Sequence, residues 1–275
     1  MGTNEQGYLD LVRLVIATGE IRADRTGVGT RALFAKRLSF DLRNGAFPLL
    51  TTKRIAFKNV AEELFWFLRG STDVRELQAR GVHIWDANAA GGVLGPIYGQ
   101  QWRHFGSDEL GAGGVDQIAE VVRRIQTEPT SRRIFFSARN PTQLAQMALP
   151  PCHVSCQFFV SHPGTPLAGL SAHVYQRSAD LGLGVPYNVA SYALLVVAVA
   201  SLCRLRPIEL VLSFGYVHVY ENHVEPLLLQ LERTHRPFPT ICAKRPLDSL
   251  DHLALDDFEL LNYNPHQPIS MNMAR

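Results

Sequence analysis

Cys152 has the setting that most suggests chemistry. It follows Pro150-Pro151 and precedes His153, and the two prolines fix the backbone that delivers the thiol. A nucleophilic cysteine needs nearby positive charge to favour thiolate. Arg25, Arg132, Arg133 and Arg177 are the candidates. A buried structural thiol is the plain alternative, and Cys156, deeper in the same apolar run, fits that description. Alternation along a strand would put Cys152, Val154, Cys156, Phe158 and Val160 on one face.

Arg132-Arg133 can meet one anion only if the chain is still in a loop there, since adjacent strand residues face opposite sides. A solvated basic pair is the other reading. The Arg177 fork beside Ser178 suits an oxyanion or phosphate, and a surface strand end fits equally well. Glu63 has Val60, Trp66 and Phe67 at helical contact spacing, so burial should raise its pKa toward that of a general acid or base. Glu62, with Lys58 before it and Arg69 after it, reads as part of a polar face. His218 and Tyr220 share a strand face with Leu212, Phe214 and Tyr216, which either binds hydroxyl groups or forms an aromatic core stripe. Asn188 either reads an amide-like ring edge or caps a helix.

The elements that position these residues follow from hydrophobic period and turn signals. Tyr8, Leu11, Val12, Val15 and Ile16 mark a first helix ending near Gly19. Arg22–Thr30 is a loop, and Leu33–Phe40 a strand. Ile55–Arg69 is a helix closed by Gly70, and Ser71 or Thr72 caps a short helix to Arg80. Ala87–Gly95 is a loop and Val115–Thr127 a helix. Strands follow at Arg133–Ala138, Cys152–Val160 and Leu170–Tyr175, then a central helix over Pro186–Cys203. Glu209–Tyr220 is a long strand and Glu221–Arg233 a helix. This order favours an α+β fold, a single domain over residues 1–275 with one large mixed sheet flanked by helices.

Composition limits the function. The 275 residues are 46% hydrophobic and 19% charged, which is ordinary for a globular chain and too apolar for disorder. A net charge of +2 excludes a polybasic nucleic-acid binder but leaves room for a local pocket for a small anion. Four cysteines are too few for a disulfide scaffold, and a polar N-terminus carries no leader pattern, so a cytoplasmic setting with free thiols is expected. Leu181–Cys203 lacks charge, but Gly182, Gly184, Pro186 and Asn188 interrupt it, so it reads as a core helix rather than a membrane span. Gly27-x-Gly29-x-x-Ala32 matches a dinucleotide pattern in the wrong context, after a helix and before a strand, and reads as a loop presenting Arg25.

In this order the motifs closely resemble the folate-dependent, cysteine-nucleophile thymidylate synthase family. The matching stretches begin with Asp24-Arg25-Thr26-Gly27-x-Gly29-Thr30, Phe47-Pro48-Leu49-Leu50-Thr51-Thr52-Lys53-Arg54 and Glu63-Leu64-x-Trp66-Phe67. They continue through Ile84-Trp85-Asp86, Leu94-Gly95-Pro96-x-Tyr98-Gly99, Ser131-Arg132-Arg133 and Met147-Ala148-Leu149-Pro150-Pro151-Cys152-His153. Tyr175-Gln176-Arg177-Ser178-x-Asp180, Leu183-Gly184-Val185-Pro186-Tyr187-Asn188, His218-x-Tyr220-x-Asn222-His223 and Tyr263-Asn264-Pro265-His266 complete the series.

The resemblance implies a homodimer whose sheets pack across a two-fold axis, and reductive methylation of dUMP to dTMP with 5,10-methylenetetrahydrofolate and no metal. It implies Cys152 as nucleophile, with Glu63, Asn188, Tyr98 and His153 at the reacting base. Arg25, Gln176, Arg177, Ser178, Asp180, His218 and Tyr220 would bind dUMP, with Arg132 and Arg133 reaching it from the partner subunit. Lys53, Ile84, Trp85, Asp180, Gly184 and Ala274 would line the folate site. No membrane and no functional nucleic acid are implied; the location is cytoplasmic, or nuclear in a eukaryotic or viral setting. Asn188 speaks for uracil over cytosine, because the cytosine-hydroxymethylating branch typically carries Asp there. Three positions depart from the family pattern: Tyr216 where an acidic residue is usual, Arg139 where Trp is common, and a charged Arg275 at the tail.

Overall fold

The structure is a computed structural model that describes residues 4–89, 91–107 and 113–273. Helix α1 (Glu5–Thr18) starts where the Asn4 side chain accepts from the Gln6 N–H and stops at Gly19. Strands β1 (Glu20–Arg22) and β2 (Thr30–Asp41) follow, then α2 (Phe57–Leu68) and α3 (Val74–Ala79). Gly70 ends the α2 region at φ +75°, and a Cβ there would stand 3.1 Å from His104 Nε2, so glycine is needed on two counts. The cap of α3 is Asp73, which accepts from the Arg75 N–H, rather than Ser71 or Thr72. Ser71 instead donates to Glu76. Helices α4 (Tyr98–His104) and α5 (Gln117–Thr127) precede β3 (Phe135–Ser137), β4 (His153–Ser161) and β5 (Gly169–Asp180). Then come α6 (Gly184–Leu202), β6 (Arg206–Tyr220), α7 (Val224–Leu231) and a small hairpin, β7 (Thr240–Ala243) with β8 (Phe258–Leu261).

The main sheet has six strands in the order β1-β2-β6-β5-β4-β3, with β5 and β6 parallel and the other neighbours antiparallel. A mixed sheet flanked by helices is therefore the observed fold. The parallel pair is possible because α6 carries the chain back between β5 and β6. Every residue of α6 from Val189 to Ala200 is buried, against β5, β6 and α2. The helix is long and apolar enough to cross a membrane by length and composition, yet 78% of its most apolar window is buried inside the fold. It ends in a double backbone closure: Arg204 N donates to Ser201 O and Leu205 N to Ala200 O, with Arg204 at φ +57°.

The opposite face of the sheet is open in this chain. Phe135, Phe159 and Tyr175 alternate with buried neighbours and stand 46%, 67% and 43% exposed.

Glu5 ties the start of the chain to the segment before Lys53. It is 1% exposed, and its carboxylate accepts from the Thr51 N–H and hydroxyl at 2.7 and 2.6 Å and from the Thr52 N–H and hydroxyl at 2.8 and 2.6 Å. Gln230 on α7 donates to the Thr52 hydroxyl and Arg233 to the Thr52 carbonyl. Glu5→Ala would leave buried N–H and hydroxyl donors unpaired, so it should cost about 3 kcal/mol of stability by chemical denaturation.

Candidate active site

The site lies where the β5–α6 junction meets the end of β6 and the chain entering β4. On β5, Gln176, Ser178 and Asp180 alternate onto one face, and their cross-strand neighbours on β6 are Phe214, Tyr216 and His218. Asp180 closes this row by accepting from the N–H groups of Gly182, Leu183 and Gly184. Two of these N–H groups belong to the turn entering α6 and the third, Gly184, opens the helix, so one carboxylate holds the β5–α6 junction. Asn188, one turn into α6, faces β5, where its Oδ1 accepts from Gln176 Nε2 at 2.8 Å. Gln176 Oε1 and His218 Nδ1 are buried atoms with no hydrogen-bond partner among the described residues.

Cys152 sits just before β4. The Tyr98 hydroxyl accepts from its N–H at 2.9 Å, and its carbonyl accepts from Arg177 N. The Arg177 guanidinium donates to the Pro150 and Pro151 carbonyls and stands 3.8 Å from the Cys152 sulfur. Burial pushes the Cys152 thiol up, while Arg177 and Arg25 pull it down. Cys156, fully buried without such charges, is more inert still.

The simple alternation expected along Cys152–Val160 fails at its start. The pairing register breaks between His153 and Ser155, and this turns His153 inward in place of Val154. His153 stacks on Tyr98 at 3.9 Å with 8° between the rings, and its Nδ1 meets the Tyr192 hydroxyl at 2.8 Å. Burial lowers its pKa to about 3, so it is neutral at ordinary pH and orients Tyr98 rather than carrying charge.

Glu63 on α2 lies on the same pocket, and Trp85 Nε1 donates to it at 2.7 Å. Burial raises the Glu63 pKa to about 7, and the Trp85 N–H offsets part of that. Glu62 is not on a solvated polar face. It is 5% exposed and pairs with Arg80 at 3.2 Å, because α3 folds its C-terminal end over that side of α2.

Lys53 is buried, donates to the Gly182 carbonyl and approaches the Met271 sulfur at 3.8 Å. Burial lowers its pKa to about 8, against the pull of Asp180. Burial alone would raise the Asp180 carboxyl, but the approach of His223, 3.7 Å away, and the charge of His218 hold it below its usual value. Trp85 belongs to the buried core, and Ile84 is partly buried against that core. Among the described residues, no group of three or more His, Cys, Asp or Glu side chains could hold a metal ion.

Arg25 is exposed on the loop between β1 and β2, near enough for its charge to act on Cys152 and Tyr220. Arg132 and Arg133 are exposed in the turn before β3 and make no side-chain contact with their own chain's Cys152. Ala274 lies outside the described residues. Tyr192 had no signal of its own in the apolar run of α6, yet it fixes His153. His223 stood in the His218-x-Tyr220-x-Asn222-His223 motif without an assigned role. It holds the tail through the Asn272 carbonyl at 2.7 Å.

The sequence profile of the family described as thymidylate synthase matches residues 6–275. The chain is 48% identical over 289 residues to the thymidylate synthase of equine herpesvirus 2, covering 98% of both proteins. It is 45% identical over 294 residues to that of Saccharomyces cerevisiae, covering 98% of this chain and 97% of the yeast one. It is also 45% identical over 297 residues to the probable thymidylate synthase of Schizosaccharomyces pombe, spanning 99% of this chain but about half (48%) of that longer protein.

The Glu63 carboxyl gives a pH-dependent test. Its folded pKa of about 7 lies above the ordinary value of 4.5, so between these values the folded state holds the proton more tightly than the unfolded state does. Stability is therefore lost as pH rises through this window and stays lost above it. Glu63→Gln keeps the Trp85 acceptor without the charge. It should raise Tm by a few degrees at pH 8, with the gain shrinking as pH falls toward 5, measured by calorimetry across that range.

Proposed function

The chain belongs to the thymidylate synthase family, methyltransferases that convert dUMP to dTMP, and we propose that it does so through a covalent adduct between Cys152 and C6 of the uracil ring. The observation that carries this reading is Cys152 itself, held by Tyr98 and Pro150-Pro151 with the Arg177 guanidinium 3.8 Å from its sulfur. Thiolate addition to C6 makes C5 a nucleophile. C5 bonds to the one-carbon unit and loses its proton, and the reduced folate leaves with the electrons of its carbon–nitrogen bond to give an exocyclic methylene. That methylene carbon then accepts hydride from the released folate and becomes the methyl group as the Cys152–C6 bond breaks and the thiolate leaves. 5,10-Methylenetetrahydrofolate supplies both the carbon and the hydride and is oxidised to dihydrofolate.

The remaining residues bind, orient and move protons. Asn188, oriented by Gln176, meets the N3–O4 edge of uracil. The unpartnered buried Nδ1 of His218 suits the deoxyribose hydroxyl, with Tyr220 beside it at 5.0 Å between rings. Arg25, Arg177 and Ser178 hold the phosphate. Glu63, with its pKa near 7, exchanges protons with the base through water. Ile84 and Trp85 supply apolar surface and Asp180 a polar group for the pterin ring, and Lys53, Gly184 and Ala274 complete the folate side. Fixing the phosphate at a distance from C6 converts binding into orientation of the ring against the thiolate.

The exposed apolar face carrying Phe135, Phe159 and Tyr175 supports a homodimer packed sheet to sheet. Arg132 and Arg133, exposed and not among the charges that act on their own chain's Cys152, are then phosphate ligands for the partner subunit. The setting is cytoplasmic, and residues 1–275 act as one catalytic domain.

Cys152→Ser should lower kcat by at least about 10⁴-fold while dUMP still binds, read from the absorbance rise of dihydrofolate and from calorimetry. Retained turnover would rule out the nucleophile. Mixing inactive Arg132→Ala with inactive Cys152→Ala should restore activity in the hybrid dimer, because one of its two sites then carries both native residues. A mixture that exchanges subunits and stays inactive would exclude the shared site.

A further inference from the structure

Tyr216 occupies the row of site residues without a role in the reaction described above. Its phenol oxygen lies 3.1 Å from the hydroxyl of Thr30, which is itself 2% exposed. The Arg22 guanidinium carbon lies 5.8 Å from the centre of its ring. Its ring packs on His218 at 5.5 Å, and across the strand pair it neighbours Ser178. Arg22 and Thr30 pair with each other as the two ends of the loop that presents Arg25. Tyr216 therefore touches both stems of that loop on one side and the Ser178–His218 row on the other.

The loop needs such a brace. Between its stems it is bonded mainly to itself, through Asp24, which accepts from the N–H groups of Thr26 and Gly29 and from the Thr26 hydroxyl. Gly27 and Gly29, at φ +74° and +82°, let the chain turn but add no side chain that could anchor it. Thr30 pairs with Tyr220 rather than Tyr216, about 13 Å further along β6. Reaching that far takes a long, rigid side chain lying along the strand, and a phenol ring offers this with few rotatable bonds to freeze.

We propose that Tyr216 is a positioning residue that sets the distance between Arg25 and the Arg177–Ser178 pair, and so tunes affinity for the phosphate of the nucleotide. This rests on the phosphate assignment made under the proposed function.

The test uses the full-length protein and two conservative variants, Tyr216→Phe and Thr30→Val, each deleting one hydroxyl of the pair. Each should raise KM for dUMP about five-fold, weaken inorganic phosphate binding by a similar factor, and leave kcat within about two-fold. Phosphate is followed by phosphorus NMR, which does not depend on turnover. The double variant should be no worse than either single one, as expected for two ends of one contact. Circular dichroism melts should show both variants folded. Unchanged KM and unchanged phosphate binding would overturn the proposal while leaving dUMP methylation standing, and so would a fall in kcat at constant KM. Weakened phosphate binding in a protein that does not methylate dUMP would keep the brace and defeat the proposed reaction instead.

Discussion

The Asp180 carboxylate is the constraint on which the rest of the site depends. It ends β5, accepts from three consecutive N–H groups through the turn into α6, and lies beside His223. One side chain thereby fixes the angle between the strand that carries Gln176, Arg177 and Ser178 and the helix that carries Asn188. Lys53 braces the same junction from the other side through the Gly182 carbonyl. Without Asp180, the N–H groups of the turn that joins β5 to α6 would lose their acceptor, and the angle between strand and helix its anchor.

Burial does the electrostatic tuning, and it acts unevenly across a small space. It lifts Glu63 to near 7, drops His153 to near 3 and pulls Lys53 to about 8. These shifts come from one cause, the loss of water from around the charged form, and differ in sign because the groups differ in charge. Cys152 follows the same rule and is raised by burial, while Arg177 and Arg25 offset part of the rise and Asp180 adds to it. The pocket therefore holds an acid that can exchange protons, an imidazole that cannot, and a thiol whose ionisation depends on cationic neighbours.

Much of this was legible in the sequence. The prolines before Cys152, the arginine motifs and the Trp-Phe run after Glu63 signalled the site, and helical spacing alone placed Glu63 in an apolar setting. The uncharged Leu181–Cys203 stretch, interrupted by Gly182, Gly184, Pro186 and Asn188, announced a buried core helix. Local patterns failed where a distant segment decides the outcome. Glu62 has the neighbours of a surface residue, but α3 returns to cover it with Arg80. His153 should point away from Cys156 by alternation, but one register break on β4 reverses it. Glu5 looks like an ordinary first-turn acid until Thr51 and Thr52, forty-six and forty-seven residues later, supply its partners. Each failure involves a contact that no window of a dozen residues contains.

The Thr51–Lys53 segment is gripped from both directions along the chain. Glu5 holds it from the first helix, while His266 N donates to the Thr51 carbonyl and Met271 rests on Lys53. Thr51 and His266 lie more than two hundred residues apart, a separation close to that between Thr30 on β2 and its partner Tyr220 on β6. Because loop-closure entropy rises only slowly with length, the clasp and the β2–β6 pairing carry similar closure costs, and the corner that buries Lys53 is as non-local as the sheet itself.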